Sequence, residues 1–384
     1  MIRAHGRRAL ALLLAFTLVL SLLLFFGAGT GSCAASDVDG NGRELFRGSA
    51  DQCRSERLLS ETRADWRASV SGALITGRWD LDLIAVARTQ VGYRESSQDY
   101  VERNGVRHGY TRYGDWIGNS EAVVYGPWCA SFACFCIYYA NIKGVPFSAN
   151  CATWVKKLGE EGMFYEYGKL EPRAGDLAFF YSGKEKDAEK LNATHVGIIA
   201  EIREKGFVTI EGNIGNTVGW REYEYKKTGD QILGFARLPD NPDYLSFEDA
   251  SGCVRISGVL PQDTTVRVRS LAENELGPCE LPSGRVLDAY EISLFSGEEE
   301  YEPKDAMYVQ LRPGDLPEGK LQVIHYRLDE AGAAKENWAV EQLRREGNTL
   351  TFLAFRLSRF VVVEETPPET VQRLTNTSGI RALT

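Results

Sequence analysis

The sequence predicts an α+β unit followed by an all-β unit, on three observations. Apolar residues recur at helical spacing in three segments between 80 and 160, and β-type patterns replace them between 176 and 238. Beyond a compositional break at Pro239-Asp-Asn-Pro-Asp243, about seven short strand candidates follow with no long helix among them. The chain has 384 residues, enough for two domains with linkers. Hydrophobic residues at 43% and charged residues at 25% are the balance of a globular chain, which excludes a disordered or fibrous one. The formal net charge is −9, and the only cationic cluster is Arg3, Arg7 and Arg8 at the N-terminus. Nucleic-acid binding needs a basic face to release counterions, so nucleic acid is excluded as the main partner.

Residues 9–26 carry no charge, and only Thr17 and Ser21 are polar among them. Those 18 residues sit at the short end of what spans a bilayer, and the arginines before them favour a cytoplasmic N-terminus. Residues 1–28 therefore read as a signal peptide or signal anchor, and the rest of the chain as exported. Contact with a membrane is expected only through this segment. Cys33 follows small residues like a lipoprotein attachment cysteine, but Thr30 stands where leucine is usual. Residues 29–78 are polar and read as a linker, with a helix over 55–70. Within the linker, Asp37-Val-Asp39-Gly-Asn41-Gly42 copies the opening of a calcium loop, yet its twelfth position is Gly48, which has no carboxylate.

The elements then follow in order. DLDLIAVARTQ, residues 80–90, is a short amphipathic helix. After a Tyr- and Gly-rich stretch comes the helix of residues 128–140, with 129, 132, 133, 136, 137 and 140 on one apolar or small face. Gly144 and Pro146 end it, and residues 151–160 form a further helix. Strands are expected at 176–180, 195–202, 207–211 and 232–238. Past the break they are expected at 253–258, 264–271, 289–295, 306–312, 320–328, 348–355 and 360–364, a β-sandwich pattern. Cys129, Cys134 and Cys136 crowd one helix and do not supply a tetrahedral zinc set, so no metal is expected there. Cys253 and Cys279 are the one pair spaced for a disulfide.

Chemistry concentrates around Cys129. A cysteine at a helix start faces unpaired backbone N–H groups that favour its thiolate. A nucleophilic thiolate needs a base, and the chain has four histidines. His5 lies in the export segment and His325 in the β region, which leaves His108 and His195. His195 opens HVGIIAEI, whose partner FVTIEGN follows a tight loop. With a three-residue loop, 204–206, Val196, Ile198, Ala200, Ile202, Val208 and Ile210 share a core face while His195, Glu211 and Asn213 share the other. That register puts Asn213 diagonal to His195 and leaves Glu211 one step away, needing twist or a bulge to touch the ring. Either residue can orient the imidazole as the third member of a triad.

The stretches PWCASFACFCIYYANI, RAGDLAFF, THVGIIAEI, FVTIEGNIGN and ILGFARLP resemble the CHAP domain, a cysteine, histidine-dependent amidohydrolase/peptidase related to NlpC/P60 and papain-like hydrolases. The resemblance spans about 79–240, including DLIAVARTQVGY and HGYTRYGDW, and implies an α+β papain-like (NlpC/P60-type) catalytic domain. It implies Cys129 as nucleophile, His195 as base, Glu211 as the acid orienting the ring, and Asn213 as its polar companion. The preference for Glu211 over Asn213 comes from the resemblance alone. Gly126-Pro127 replaces the Gly-Asp common in the family, a change at the rim of the cleft. No cofactor is implied. The region 245–366 is similar to β-sandwich modules of exported Gram-positive bacterial proteins, with His325 expected on a strand surface and 367–384 as a tail.

The resemblance further implies amide hydrolysis through a thioester, with one oxyanion donor from the Cys129 N–H and a second from a side chain between Tyr110 and Trp128. With export, the expected partner is peptidoglycan, cut at the lactyl–L-alanine amide or within the stem peptide or cross-bridge. Tyr110, Tyr113, Trp116 and Trp128 are equally readable as a binding groove or as core. The competing readings are a non-catalytic surface-binding protein and an exported protease or toxin acting on proteins.

Overall fold

The structure is a computed structural model that describes residues 37–38, 44–45, 67–118, 120–181, 190–225, 231–277, 281–328, 334–340 and 342–365. The apolar run 9–26, Cys33, Cys53, Cys279 and the tail lie outside these residues. Among the described residues no helix is long and apolar enough to cross a membrane. In the linker, β1 (Asp37–Val38) pairs with β2 (Glu44–Leu45), and Arg67–Val70 is a 3-10 turn at the end of the predicted 55–70 helix.

The first predicted helix is Trp79–Thr89, anchored at its start by a buried carboxylate. Asp82 accepts hydrogen bonds from the Thr76 backbone N (2.8 Å), the Thr76 hydroxyl (3.0 Å) and Gly77 N (2.8 Å). Gly77 has φ +80°, and a Cβ there would lie 2.1 Å from Val259 Cγ2, so only glycine fits. Asn241, in the compositional break, donates its side-chain amide to Gly77 O at 2.8 Å. The Tyr- and Gly-rich stretch, unassigned from the sequence, folds as the hairpin of β3 (Tyr100–Arg103) and β4 (Val106–Gly109) and two short helices, Arg112–Ile117 and Glu121–Val124.

The helix Cys129–Tyr139 is buried from Cys129 through Ile137, and only its last turn reaches the surface, at the exposed Tyr138. The apolar face expected from its spacing is there, and the opposite face is covered as well as far as Phe135. In Cys151–Glu160 the buried residues are Cys151, Trp154, Val155 and Leu158, the i, i+3, i+4, i+7 stripe of a helix packed on one face. Asn150 caps it, accepting from Thr153 N at 2.9 Å.

These helices cover an antiparallel sheet of six strands: β5 (Phe164–Glu166), β6 (Leu177–Phe180), β7 (His195–Arg203), β8 (Gly206–Ile214), β9 (Thr217–Glu224) and β10 (Ile232–Ala236). Their order is β5-β10-β6-β7-β8-β9. β5 and β9 have no counterpart among the predicted strands. Val196, Ile198, Ala200 and Ile210 join the helices in one core, while Ile199, Phe207, Phe180 and Tyr223 form a second core on the other face.

The C-terminal region is all β. One sheet runs β11 (Tyr244–Glu248), β12 (Val254–Val259), β16 (Met307–Leu311), β20 (Thr349–Ala354), β19 (Arg344–Glu346). The other runs β13 (Thr264–Ser270), β14 (Gly284–Ser296), β21 (Arg359–Glu365), β17 (Leu321–Leu328), β18 (Ala334–Ala339), with β15 (Glu299–Tyr301) on β14. Alternate residues of both sheets, among them Ile256, Val309 and Phe352 against Ile292, Val323 and Phe360, meet in one core, the packing of a sandwich. His325 is not on the surface: it is 3% exposed, stacked on Phe360 with ring centroids 4.5 Å apart and bonded through Nε2 to Ser358 Oγ at 2.9 Å. The strand run FVVV on β21 is buried on both faces, and His325 lies directly opposite Phe360, so its face is covered too. Among the described residues Cys253 has no disulfide partner, and the expected one, Cys279, lies outside them.

Candidate active site

Cys129 is the first residue of its helix, and the side chain of Trp128 before it does not cap the first-turn N–H groups. Trp128 is locked from behind. Its Nε1 donates to Glu95 Oε2 at 3.1 Å, and its ring stacks on Tyr113 with centroids 5.3 Å apart. β8 reaches this turn because residue 212 is glycine: a Cβ there would fall 2.6 Å from Phe132 Cβ and 2.9 Å from Trp128 Cε3.

His195 opens β7 and pairs with Phe180 of β6. Its Nε2 lies 2.7 Å from Glu211 Oε2. The other carboxylate oxygen, Oε1, accepts from Thr209 Oγ1 at 2.6 Å, and Glu211 is fully buried. Gly197 makes the space, since a Cβ there would lie 2.7 Å from Glu211 Cγ. With Nε2 held by the carboxylate, Nδ1 is the nitrogen that faces the Cys129 sulfur.

The register that brings Glu211 to the ring differs from the idealised one. The hairpin turn is the two residues Glu204 and Lys205, with Arg203 paired to Gly206, and a bulge lies between Ile199 and Glu201. Past the bulge Ile198 pairs with Ile210, two steps from the expected alignment, which slides Glu211 toward His195. The same bulge buries Glu201 and turns Ile202 out to 39% exposure, against its expected place in the core. Asn213 sits in a second irregularity, between Glu211 and Ile214, with φ +63°. The carboxylate, not the amide, holds the imidazole.

One neighbour was not expected. Cys151, first residue of the next helix, places its sulfur 3.6 Å from the Cys129 sulfur. Its signal in the sequence was Asn150, a cap that fixes residue 151 at a helix start. The Cys151 hydrogen bond, foremost, and the hydrogen bond and charge of His195 hold the Cys129 thiol well below its ordinary value, against the opposing effect of burial. Cys151 itself is pushed up, first by its hydrogen bond to Cys129 and then by burial, so it remains the S–H donor of the pair. Burial disfavours a charged His195, but its hydrogen bonds to Cys129 and Glu211 outweigh this and raise its pKa. Burial pushes Cys134 and Cys136 up as well.

The aromatic residues divide. Tyr110, Tyr113 and Trp128 are buried core, while Trp116 is part-exposed beside Ile117, Val123, Tyr138 and Phe147 in an open groove. The second oxyanion donor expected between Tyr110 and Trp128 is not among the tyrosines or Trp128, whose donors are engaged. Tyr110 donates to Asp115 (3.0 Å), Tyr113 to Gln90 (3.0 Å), Tyr125 to Asp99 (2.8 Å) and Trp128 to Glu95. His108, the other histidine weighed as base, lies on β4, in the hairpin outside the six-stranded sheet.

No curated protein and no solved structure matches the chain. Residues 119–213 match the family model of the CHAP domain, a span that begins ahead of Cys129 and closes on Asn213. The chain thus carries, ahead of an all-β region, a segment similar to the CHAP domain, a family of amidohydrolases and peptidases.

Proposed function

We propose that this protein is an exported hydrolase that cleaves amide bonds of peptidoglycan with a papain-like site made of Cys129, His195 and Glu211. The observation that carries the reading is the chain of contacts from sulfur to imidazole to a buried carboxylate, with His195 Nε2 2.7 Å from Glu211. Peptidoglycan as substrate is supported by the CHAP match, and export to the cell wall by the charged-then-apolar N-terminus.

The Cys129 thiolate attacks the scissile carbonyl carbon, and the developing oxyanion is met by the Cys129 backbone N–H at the helix start. The imidazolium gives its Nδ1 proton to the leaving amine, and a thioester remains on Cys129. Nδ1, now a base, takes a proton from water. The hydroxide displaces the sulfur and releases the acid. Throughout, Glu211 fixes which nitrogen faces the sulfur and offsets the positive charge on the ring.

Digestion of purified sacculi by the full chain tests this. Cys129→Ala should lower fragment release by roughly 10^4-fold or more, and mass spectrometry of the fragments identifies the bond cut. Unchanged lysis by Cys129→Ala overturns the reading, and cleavage of proteins but not of sacculi moves the substrate to polypeptides.

A further inference from the structure

Two helices aim their first residues at one another: Cys129 begins Cys129–Tyr139, and Cys151 begins Cys151–Glu160. Their sulfurs are 3.6 Å apart, so reaching the bonded separation of ~2.05 Å takes about 1.5 Å of side-chain movement. The other two thiols nearby are placed differently. Cys134 gives its S–H to Ser148 O at 3.6 Å, and Cys136 is wholly buried within the helix. The hydrolytic mechanism uses only one sulfur. Cys151 adds a second, close enough to bond to the first.

We propose that Cys129 and Cys151 form a reversible redox switch, in which a hydroperoxide converts the two thiols into a disulfide that silences the site, with Cys151 as the resolving thiol. The proposal rests on the reading of Cys129 as the nucleophile. In the first step the Cys129 thiolate attacks one oxygen of hydrogen peroxide. An S–O bond forms, the O–O bond breaks, and the departing hydroxide takes the His195 imidazolium proton to become water. In the second step the Cys151 sulfur attacks the Cys129 sulfenic acid. The S–S bond forms, the S–O bond breaks, and the hydroxide leaves as water with the proton from Cys151. Two thiol sulfurs have lost two electrons and the peroxide has become two waters. A dithiol reductant reverses the change by exchange at the disulfide. Sulfinic and sulfonic acids, which thiols do not reverse, are avoided because Cys151 intercepts the sulfenic acid first.

The test treats the full chain with hydrogen peroxide near one equivalent, alkylates the remaining thiols, digests without reduction and maps the peptides. Lys143 lies between the two cysteines, so trypsin separates residues 113–143 from 144–156. The expected product is these two peptides joined, two hydrogens lighter than their sum, with fragment ions assigning the link to Cys129. Hydrolysis of sacculi should fall about tenfold or more on oxidation and return with dithiothreitol. With several equivalents of peroxide, since a second peroxide carries sulfenic to sulfinic acid, the loss in Cys151→Ser, and in Cys151→Ala as a second variant, each measured against its own activity before peroxide, should persist after dithiothreitol, while the wild-type chain treated alike recovers. The proposal is overturned if the wild-type chain yields Cys129 sulfinic acid and no cross-link, or if recovery is unchanged in both variants. A cross-link in a chain whose reduced form releases nothing from sacculi would sink the peptidoglycan reading and leave the switch standing. Lysis without a cross-link would do the reverse.

Discussion

Cys129 is one of four cysteines within 23 residues, and surroundings, not identity, set it apart. Cys151 and His195 stabilise its thiolate, while burial keeps Cys134 and Cys136 protonated. The signs give a pH profile. A lowered thiol pKa means the thiolate persists to lower pH than that of an ordinary cysteine. A raised imidazole pKa means its proton is lost only on the alkaline side. Alkylation of Cys129 by iodoacetamide should therefore rise less steeply between about pH 6 and 8 than that of an ordinary thiol near 8.5, which would gain roughly tenfold or more in rate. Peptide mapping of the alkylated protein should find Cys129 modified first, with Cys134, Cys136 and Cys151 lagging. Reaction in the reverse order would contradict the assignment of charge. At this scale the sequence was informative about Cys129 and His195, since a helix start and a strand start are local features. Cys151 was legible only as a buried residue. Its contact with Cys129 depends on how two helices cross, which no local spacing encodes.

Between elements, glycines decide how closely the parts approach. Gly212 lets β8 lie against the helix that carries Cys129, and Gly197 opens the slot that Glu211 fills. Replacing Gly212 by valine forces a branched side chain onto Phe132 and Trp128, an overpacking that costs about 1–3 kcal/mol. The expected result is a lower thermal midpoint together with slower alkylation of Cys129, because the helix start is displaced. A variant as stable and as reactive as the wild type would show that the packing is loose. The sheet also marks where sequence reasoning stops. The predicted strands that correspond to β6, β7, β8 and β10 follow from apolar runs and turn residues, but the partner of His195 depended on register. A two-residue turn and a bulge at Ile199–Glu201 shift that register by two, and a bulge is a backbone event with little trace in side-chain alternation. Ile202, apolar yet exposed, is the residue that shows the slip.

Across the whole molecule, the helix-covered sheet and the C-terminal sandwich each have their own buried core. His325 ties the stability of the sandwich to pH. Burial, with a smaller contribution from the charge of Arg327, lowers its pKa to about 4. An unfolded chain takes up that proton near 6.5, the folded one only near 4, so between these values acid favours unfolding by about 1.4 kcal/mol per pH unit. Calorimetry of the full chain should find a transition that moves down between pH 6.5 and 4.5 and is flattened by His325→Phe, which keeps an aromatic ring in the stack. A transition equally acid-sensitive in the variant would assign the effect to other groups. The alternating strands of this half were plain in the sequence. The burial of His325 was not, because the stack with Phe360 forms between strands distant in the chain.

Gly77 gives the two halves a shared keyhole. Held by Asn241 and roofed by Val259, it sits five residues before Asp82, whose carboxylate secures the first helix under the active-site core. A side chain added there would press on the sandwich from one direction and on that carboxylate's anchorage from the other. The β half is thereby more than cargo trailing behind an enzyme: it is a wall against which the first turn of the hydrolase is braced.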